Sequence, residues 1–215
     1  MSTGTALQER YPKSIFLIRH GETAANASRI VQTPDVPLSE RGIRQAERLA
    51  ERLARQGVGA IISSDYARAQ MTAERIRAAT AATIELWSDL RERNFGILRG
   101  KAYAECPVDI FAPDYAPPGG ETWSEFHERV ARAWEKIMAM AVDMHSNLAV
   151  VSHGLVCRSI VERLVGLGGC APPVYWPNAS LTIITAQPPL TIVRLNSTEH
   201  VADLLTRSAS NGGSV

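Results

Sequence analysis

A chain of 215 residues with 45% hydrophobic content can bury one sizeable core and is too short for two comfortable domains. Its formal net charge of +1 excludes the strongly basic face that nucleic-acid binding requires, so any recognition of anions must be local. Its apolar stretches fall short of a membrane span and residues 1–13, MSTGTALQERYPK, lack the apolar centre of a signal peptide, so a cytoplasmic protein with no nucleic-acid and no membrane partner is expected.

In chain order, residues 1–13 read as an N-terminal extension and 14–207 as one domain. Residues 15–19, 59–63, 147–152, 180–185 and 190–195 are short apolar or β-branched runs suited to buried strands, and 83–87 is a weaker one. Between the first two lies SERGIRQAERLAERLARQG, where Ile43, Ala46, Leu49, Ala50 and Leu53 recur at helical spacing. Ser39 is its expected N-cap, Gly57 its stop, and Gly42 weakens its first turn. Arg68 falls at the start of a helix after the run AIISSDYARAQ. Residues 101–121, rich in proline and aromatics, form one long irregular insertion. In the segment that follows, Thr122 and Glu125 fit a capping box, and Trp123, Phe126, Val130, Trp134, Ile137 and Ala141 make one apolar stripe, which is core. The runs at 180–195 suggest a hairpin across AQPP, and the tail 208–215 reads as disordered. Strands alternating with helices imply an α/β sandwich on a largely parallel sheet. The odd set Cys106, Cys157 and Cys170 has no CxxC spacing, so reduced thiols are expected.

Ligands of open α/β sheets sit beyond the carboxyl ends of the parallel strands. His20 follows the strand IFLIR and His153 follows LAVVS, each succeeded by a glycine that lets the backbone turn sharply or approach a ligand. Arg19 ends the first strand, and the fork of Arg68 at the third suits phosphate oxygens. Three strand ends therefore converge on a small, highly charged anion. A divalent metal held by His20 and His153 is not expected, because Arg19 and Arg68 would repel it.

LIRHGET with Asn26 six residues after His20, then SSDYARA, RERNFG, GGETW and VVSHG, occur in that order. The set resembles the histidine phosphatase superfamily, the phosphoglycerate mutase-like enzymes, over about residues 14–196, and GGE before the long helix resembles its phosphatase branch. The resemblance implies a three-layer α/β/α sandwich. It implies that His20 is the nucleophile that becomes a phosphohistidine, and that Arg19, Arg68 and His153 clamp the transferring phosphoryl group. Asn26 and Thr23 would bond the same oxygens, and Glu92 would protonate the leaving alkoxide and then activate water. No cofactor and no metal are implied. Thr33, where relatives often carry glycine, and Met71, where glutamine is common, depart from the pattern without touching the clamp.

Hydrolysis and mutase chemistry use the same five residues, so the pocket walls decide between them. The insertion is where the family builds its substrate lid. Residues 102–121 contain no lysine or arginine but carry Glu105, Asp109, Asp114 and Glu121, together with Tyr103, Phe111 and Tyr115. A mutase must hold a second phosphate and a carboxylate, which demands further cations. Hydrolysis of a small-molecule phosphate monoester with a neutral or aromatic leaving group is therefore expected, with Tyr103 contacting it. Arg93 is a candidate for binding a substrate carboxylate. A cofactor-dependent mutase is the alternative, and a catalytically silent phospho-ligand binding module a third. A homo-oligomer is left open.

Overall fold

The computed structural model describes residues 13–205. The expected N-terminal extension, Lys13 apart, and the expected disordered tail lie outside the described residues. All six runs form strands of one sheet: β1 (Ser14–Arg19), β2 (Val58–Ser63), β3 (Thr83–Leu86), β4 (Asn147–Ser152), β5 (Leu181–Thr185) and β6 (Ile192–Ser197), in the order β3-β2-β4-β1-β5-β6. The first four are mutually parallel, and β5 joins β1, and β6 joins β5, antiparallel. β5 and β6 make the expected hairpin. The weak run at 83–87 is an edge strand, mostly exposed, which explains its thin apolar signal.

Strand alternation sends side chains to two cores. Ile15 and Leu17 of β1, Ile62 of β2 and Leu148 and Val150 of β4 pack beneath α4 (Trp123–Asp143). Phe16, Ile18, Ile61, Ala149 and Val151 pack on the other face against α2 (Glu40–Leu53) and α3 (Ala67–Thr80). This is a three-layer α/β/α sandwich. β1 and β4 are buried on both faces, as continuous apolar runs require. Shorter elements complete the chain: α1 (Ala24–Ala27), α5 (Gly154–Ser159), which runs on into a π-helical segment at Ile160–Val165, and α6 (Ala202–Leu205). No helix among the described residues is long and apolar enough to cross a membrane.

Local chemistry sets the boundaries. The Ser39 hydroxyl accepts the Gly42 N–H (3.0 Å) at the start of α2, and the Thr122–Glu125 capping box starts α4. Gly57, with φ +65°, turns the chain into β2 four residues after α2 ends. Gly42 has a positive reason to be there. A Cβ on it would run into the Glu22 backbone, and one on Gly21 would meet the Gly42 carbonyl, so the loop after β1 packs backbone to backbone on α2. Gly42→Ala should therefore destabilise the fold by about 1–3 kcal/mol despite its better helix propensity. Chemical denaturation checks this, and a stability gain would mean the contact is not tight.

Candidate active site

The register of β1 with β4 builds the site. Arg19 pairs with Ser152, and the His20 amide donates to the Ser152 carbonyl at 2.9 Å, so His20 and His153 leave neighbouring parallel strands at one level. Their ring centroids are 5.1 Å apart. β2 adds its own end: Ser63 pairs with Val151, and the Ser64 hydroxyl lies 2.9 Å from His153 Nε2. From the second residue of α3, Arg68 Nε donates to His20 Nε2 at 3.2 Å. His20, His153 and Arg68 line a cleft of about 770 Å³, including its solvent-open mouth, together with Arg19, Asn26 and Glu92.

The protonation states follow from the neighbours. His20 Nδ1 is 2.6 Å from the Gly21 carbonyl, which can only accept, so this nitrogen carries the proton and the Nε2 lone pair faces the cleft. Burial, then Arg68 and Arg19, hold the His20 pKa well below 6.5, so the ring is neutral at pH 7. His153 is lowered for the same reasons, burial first and then Arg68, His20 and Arg19. Its Nδ1 is buried without a protein partner, as is Arg19 Nε. With the Ser64 hydroxyl donating to Nε2, His153 presents Nδ1–H as a donor. An unsatisfied buried donor costs about 1–3 kcal/mol, and an anion seated between Arg19 and His153 satisfies both. Arg68, with its pKa lowered to about 10 by burial, remains cationic at pH 7.

Glu92 is no surface acid. It accepts the amides of Arg93 and Leu155 (3.1 Å each), and among the described residues it makes no ion pair. Burial lifts its pKa above the usual carboxylate range, against the pull of those amides and of Arg19 and Arg68. Its loop is fixed by the GGETW segment. The Glu121 carboxylate accepts the Asn94 amide and takes two bonds of 2.7 Å from Arg129, which also donates to the carbonyls of Asp89 and Arg91.

The structure brings some of the expected site residues to the cleft and places others away from it. Asn26 lines the cleft; its amide oxygen accepts from Thr23 and Asn178, which leaves the NH₂ end for a ligand. Thr23 does not line it. Its hydroxyl caps α1 and donates to Gln32 (2.9 Å), so Thr23 orients Asn26 and Gln32. Arg93 borders the cleft but is committed elsewhere: its guanidinium lies 3.9 Å over the Trp123 ring and donates to the carbonyls of Glu121, Ile110 and Tyr115. It staples the lid down, and the expected substrate carboxylate would have to compete with three backbone partners. Tyr103 and Phe111 line the cleft, edge to face at 5.8 Å; Tyr115 does not. The four lid acids are also absent from the lining. Glu105 and Asp109 cap local turns, Asp114 is exposed, and Glu121 holds Arg129. Their charge therefore sets no barrier within the cleft, whereas Arg99 and Arg158 do line it. Ser64, Tyr66, Asn178, Arg99 and Trp176 had no sequence signal beyond their nearness to a motif.

Comparisons with known proteins agree with this geometry. The sequence model of the Histidine phosphatase superfamily (branch 1) matches residues 15–198. The chain is 34% identical over 168 residues to the "Probable phosphoglycerate mutase GpmB" of Yersinia pestis (strain Pestoides F), covering 71% of this chain and 75% of that one. Its fold is similar to a putative alpha-ribazole-5'-P phosphatase of Escherichia coli str. K-12 substr. MG1655, with TM-score 0.76, 26% identity and coverage of 87% and 97%. It is also similar to a mycobacterial glucosyl-3-phosphoglycerate phosphatase in complex with VO3, with TM-score 0.72, 25% identity and coverage of 86% and 99%. With a matched model across nearly its whole described length and the motif residues gathered in one cleft, the chain belongs to the histidine phosphatase superfamily (branch 1).

Proposed function

We propose that the chain hydrolyses small phosphate monoesters through a phosphohistidine on His20 Nε2. One observation carries this reading: a neutral imidazole, fixed at Nδ1 by the Gly21 carbonyl, aims its lone pair into a cleft that also holds a carboxyl group of raised pKa. On binding, phosphate oxygens take the Arg68 Nε donor from His20 and accept from Arg19, His153 Nδ1 and the Asn26 amide. His20 Nε2 then forms the P–N bond as the P–O bond breaks, and the Glu92 proton passes to the departing alkoxide, which leaves as the alcohol. In the second half, Glu92 takes a proton from water, the hydroxide adds to phosphorus, the P–N bond breaks, and phosphate departs from neutral His20.

Transfer between two positions of one molecule would use the same residues, as the mutase name of the Yersinia relative suggests. It also requires holding a bisphosphorylated acid, with a phosphate and a carboxylate beyond the reacting group. The lining offers too few unpaired cations for that: Arg93 is bound to lid carbonyls and Arg158 to Glu162. The phosphatase names among the structural relatives support hydrolysis. A silent binding module would not need Glu92 kept protonatable beside an intact clamp. Nor does the chemistry call for a metal: among the described residues no group of three or more His, Cys, Asp or Glu could hold one, and the clamp cations neutralise the phosphoryl oxygens themselves.

His20→Ala should abolish acid-labile phosphate labelling and lower turnover by on the order of a thousandfold or more; retained turnover would sink the mechanism. Glu92→Gln should slow alkyl phosphates by about 10²–10⁴-fold, while 4-nitrophenyl phosphate, whose leaving group needs no proton, should give a fast burst and then stall as phosphoenzyme accumulates. The pH dependence has a definite sign. His20, with its lowered pKa, stays neutral below pH 6.5, so activity persists into mild acid. Glu92 must start protonated, so kcat/KM for an alkyl phosphate should decline as pH rises through its raised pKa, and Glu92→Gln should remove that limb. Exhaustive chelation should leave the rate unchanged and vanadate should inhibit. Activity lost to a chelator and restored by Zn²⁺ or Mg²⁺ would refute the metal-free clamp.

A further inference from the structure

Five guanidinium groups line the cleft, from Arg19, Arg68, Arg93, Arg99 and Arg158, against one carboxylate, Glu92. Four have evident occupations. Arg19 and Arg68 flank His20, Arg93 is bound to lid carbonyls, and Arg158 pairs with Glu162 through two bonds of 3.0 and 3.1 Å. Arg99 is left over. It follows the 3₁₀ turn Gly96–Leu98, is half-buried, and makes no ion pair among the described residues. Its Nη2 donates to the Tyr66 hydroxyl at 2.8 Å, a neutral partner that holds the guanidinium without discharging it.

Tyr66 itself is tied into the clamp. It is buried, its ring meets His153 edge to face at 5.4 Å, and Arg68 lies 5.0 Å over it. One rigid side chain thus sets Arg99 at a fixed offset from the phosphoryl site, and the Arg99 charge is felt at Arg68. Crowding a cation beside others without a carboxylate is unfavourable unless an anion arrives to share the wall. The chain just after Arg99 is also anchored: the Gly100 amide donates to the Val31 carbonyl at 2.7 Å and the Lys101 carbonyl accepts the Val31 amide at 2.9 Å.

Resting on the hydrolase reading, we propose that Arg99, positioned by the Tyr66 hydroxyl, is a specificity-determining residue that binds an anionic group on the leaving part of the monoester. The class of substrate is a phosphate ester of an alcohol bearing its own carboxylate or a second phosphoryl group. A single free guanidinium accommodates one such group, which also accords with hydrolysis over transfer.

Matched esters test this. The phosphate of 3-hydroxypropanoate is compared with that of its amide, and propane-1,3-diol bisphosphate with the monophosphate. For the wild-type chain, kcat/KM should favour the charged member of at least one pair by about tenfold, the low end of one hydrogen bond to a charged group, and which pair responds tells carboxylate from phosphoryl. In Arg99→Gln the ratio should fall to within about twofold, chiefly through KM, and Arg99→Lys should restore part of it. Tyr66→Phe, which keeps the ring and removes only the hydroxyl, should reduce the ratio too. A merely structural role for Arg99 would lower both members of a pair alike. Equal rates on charged and neutral esters in the wild type, or an undiminished ratio in Arg99→Gln, would overturn the assignment while leaving the hydrolase reading intact. If no ester is turned over, the hydrolase reading falls, and calorimetric binding of the same pairs to the wild-type chain still decides on Arg99: tighter binding of a charged member supports it, and equal binding overturns it.

Discussion

Pairing Arg19 with Ser152 across β1 and β4 is the constraint from which the site follows. A parallel pair in this register delivers the next residues of both strands to one edge, where both imidazoles are almost wholly buried. Burial then does the chemical work that a base would otherwise have to do. Both rings are kept neutral in the presence of two guanidinium groups, because desolvation and like charge act in the same direction. The Gly21 carbonyl chooses the His20 tautomer, and the Ser64 hydroxyl holds the His153 ring at Nε2. A slip of one residue would exchange the two faces of β1 between the cores, seating Phe16 and Ile18 where Ile15 and Leu17 pack, as well as separate the rings, so the two cores that stabilise the sheet also enforce the site.

Around those rings the supporting contacts form two brackets. On one side, Asn178 donates to the carbonyls of His20 and Gly21 and to Asn26, tying the loop after β1 to the start of β5. The Ala179 amide adds a 3.0 Å bond to the His20 carbonyl from a residue with φ +57°, an uncommon conformation for a side-chain-bearing residue. His200 holds the Ala179 carbonyl at 2.9 Å. On the other side, Arg129 and Glu121 fix the loop bearing Glu92, while Arg93 draws the lid onto Trp123. His20 and Glu92, the proposed nucleophile and acid, are thus held from opposite sides of the cleft, which suits chemistry dependent on in-line geometry.

What could be read in the sequence divides along the same lines. The strands, the cap at Ser39, the capping box at Thr122 and the strand-end positions of His20, Arg68 and His153 are local or periodic features, so the pattern carries them. Thr23 shows the limit. Its neighbour Asn26 does face the cleft, but a threonine three residues before an asparagine serves equally as a helix cap, and only the position of Gln32 settles which. The contacts of Arg93 were hidden for a different reason: its partners, the carbonyls of Ile110, Tyr115 and Glu121, lie up to 28 residues away in an irregular segment with no periodicity to reveal its path. The lid acids misled likewise, since composition counts charges without saying where they point. Arg99 and Tyr66 are joined across 33 residues by one side-chain bond, and no local pattern encodes that.

In the proposed mechanism, the charge balance of the cleft also explains how one carboxyl group can serve in both halves of the reaction. Glu92 is pulled toward protonation by burial and toward ionisation by Arg19 and Arg68, with burial the larger influence. A bound phosphate dianion neutralises part of those two cations and so strengthens its hold on the proton just when an acid is required. Once the phosphoryl group is bonded to His20 and the alcohol has carried the proton away, the carboxylate faces cations shared with a phosphoryl group rather than bulk water. It remains basic enough to take a proton from the attacking water. The same arginines that bind the substrate thus tune the acid, so the clamp and Glu92 are one electrostatic unit and their contributions to rate should not be additive.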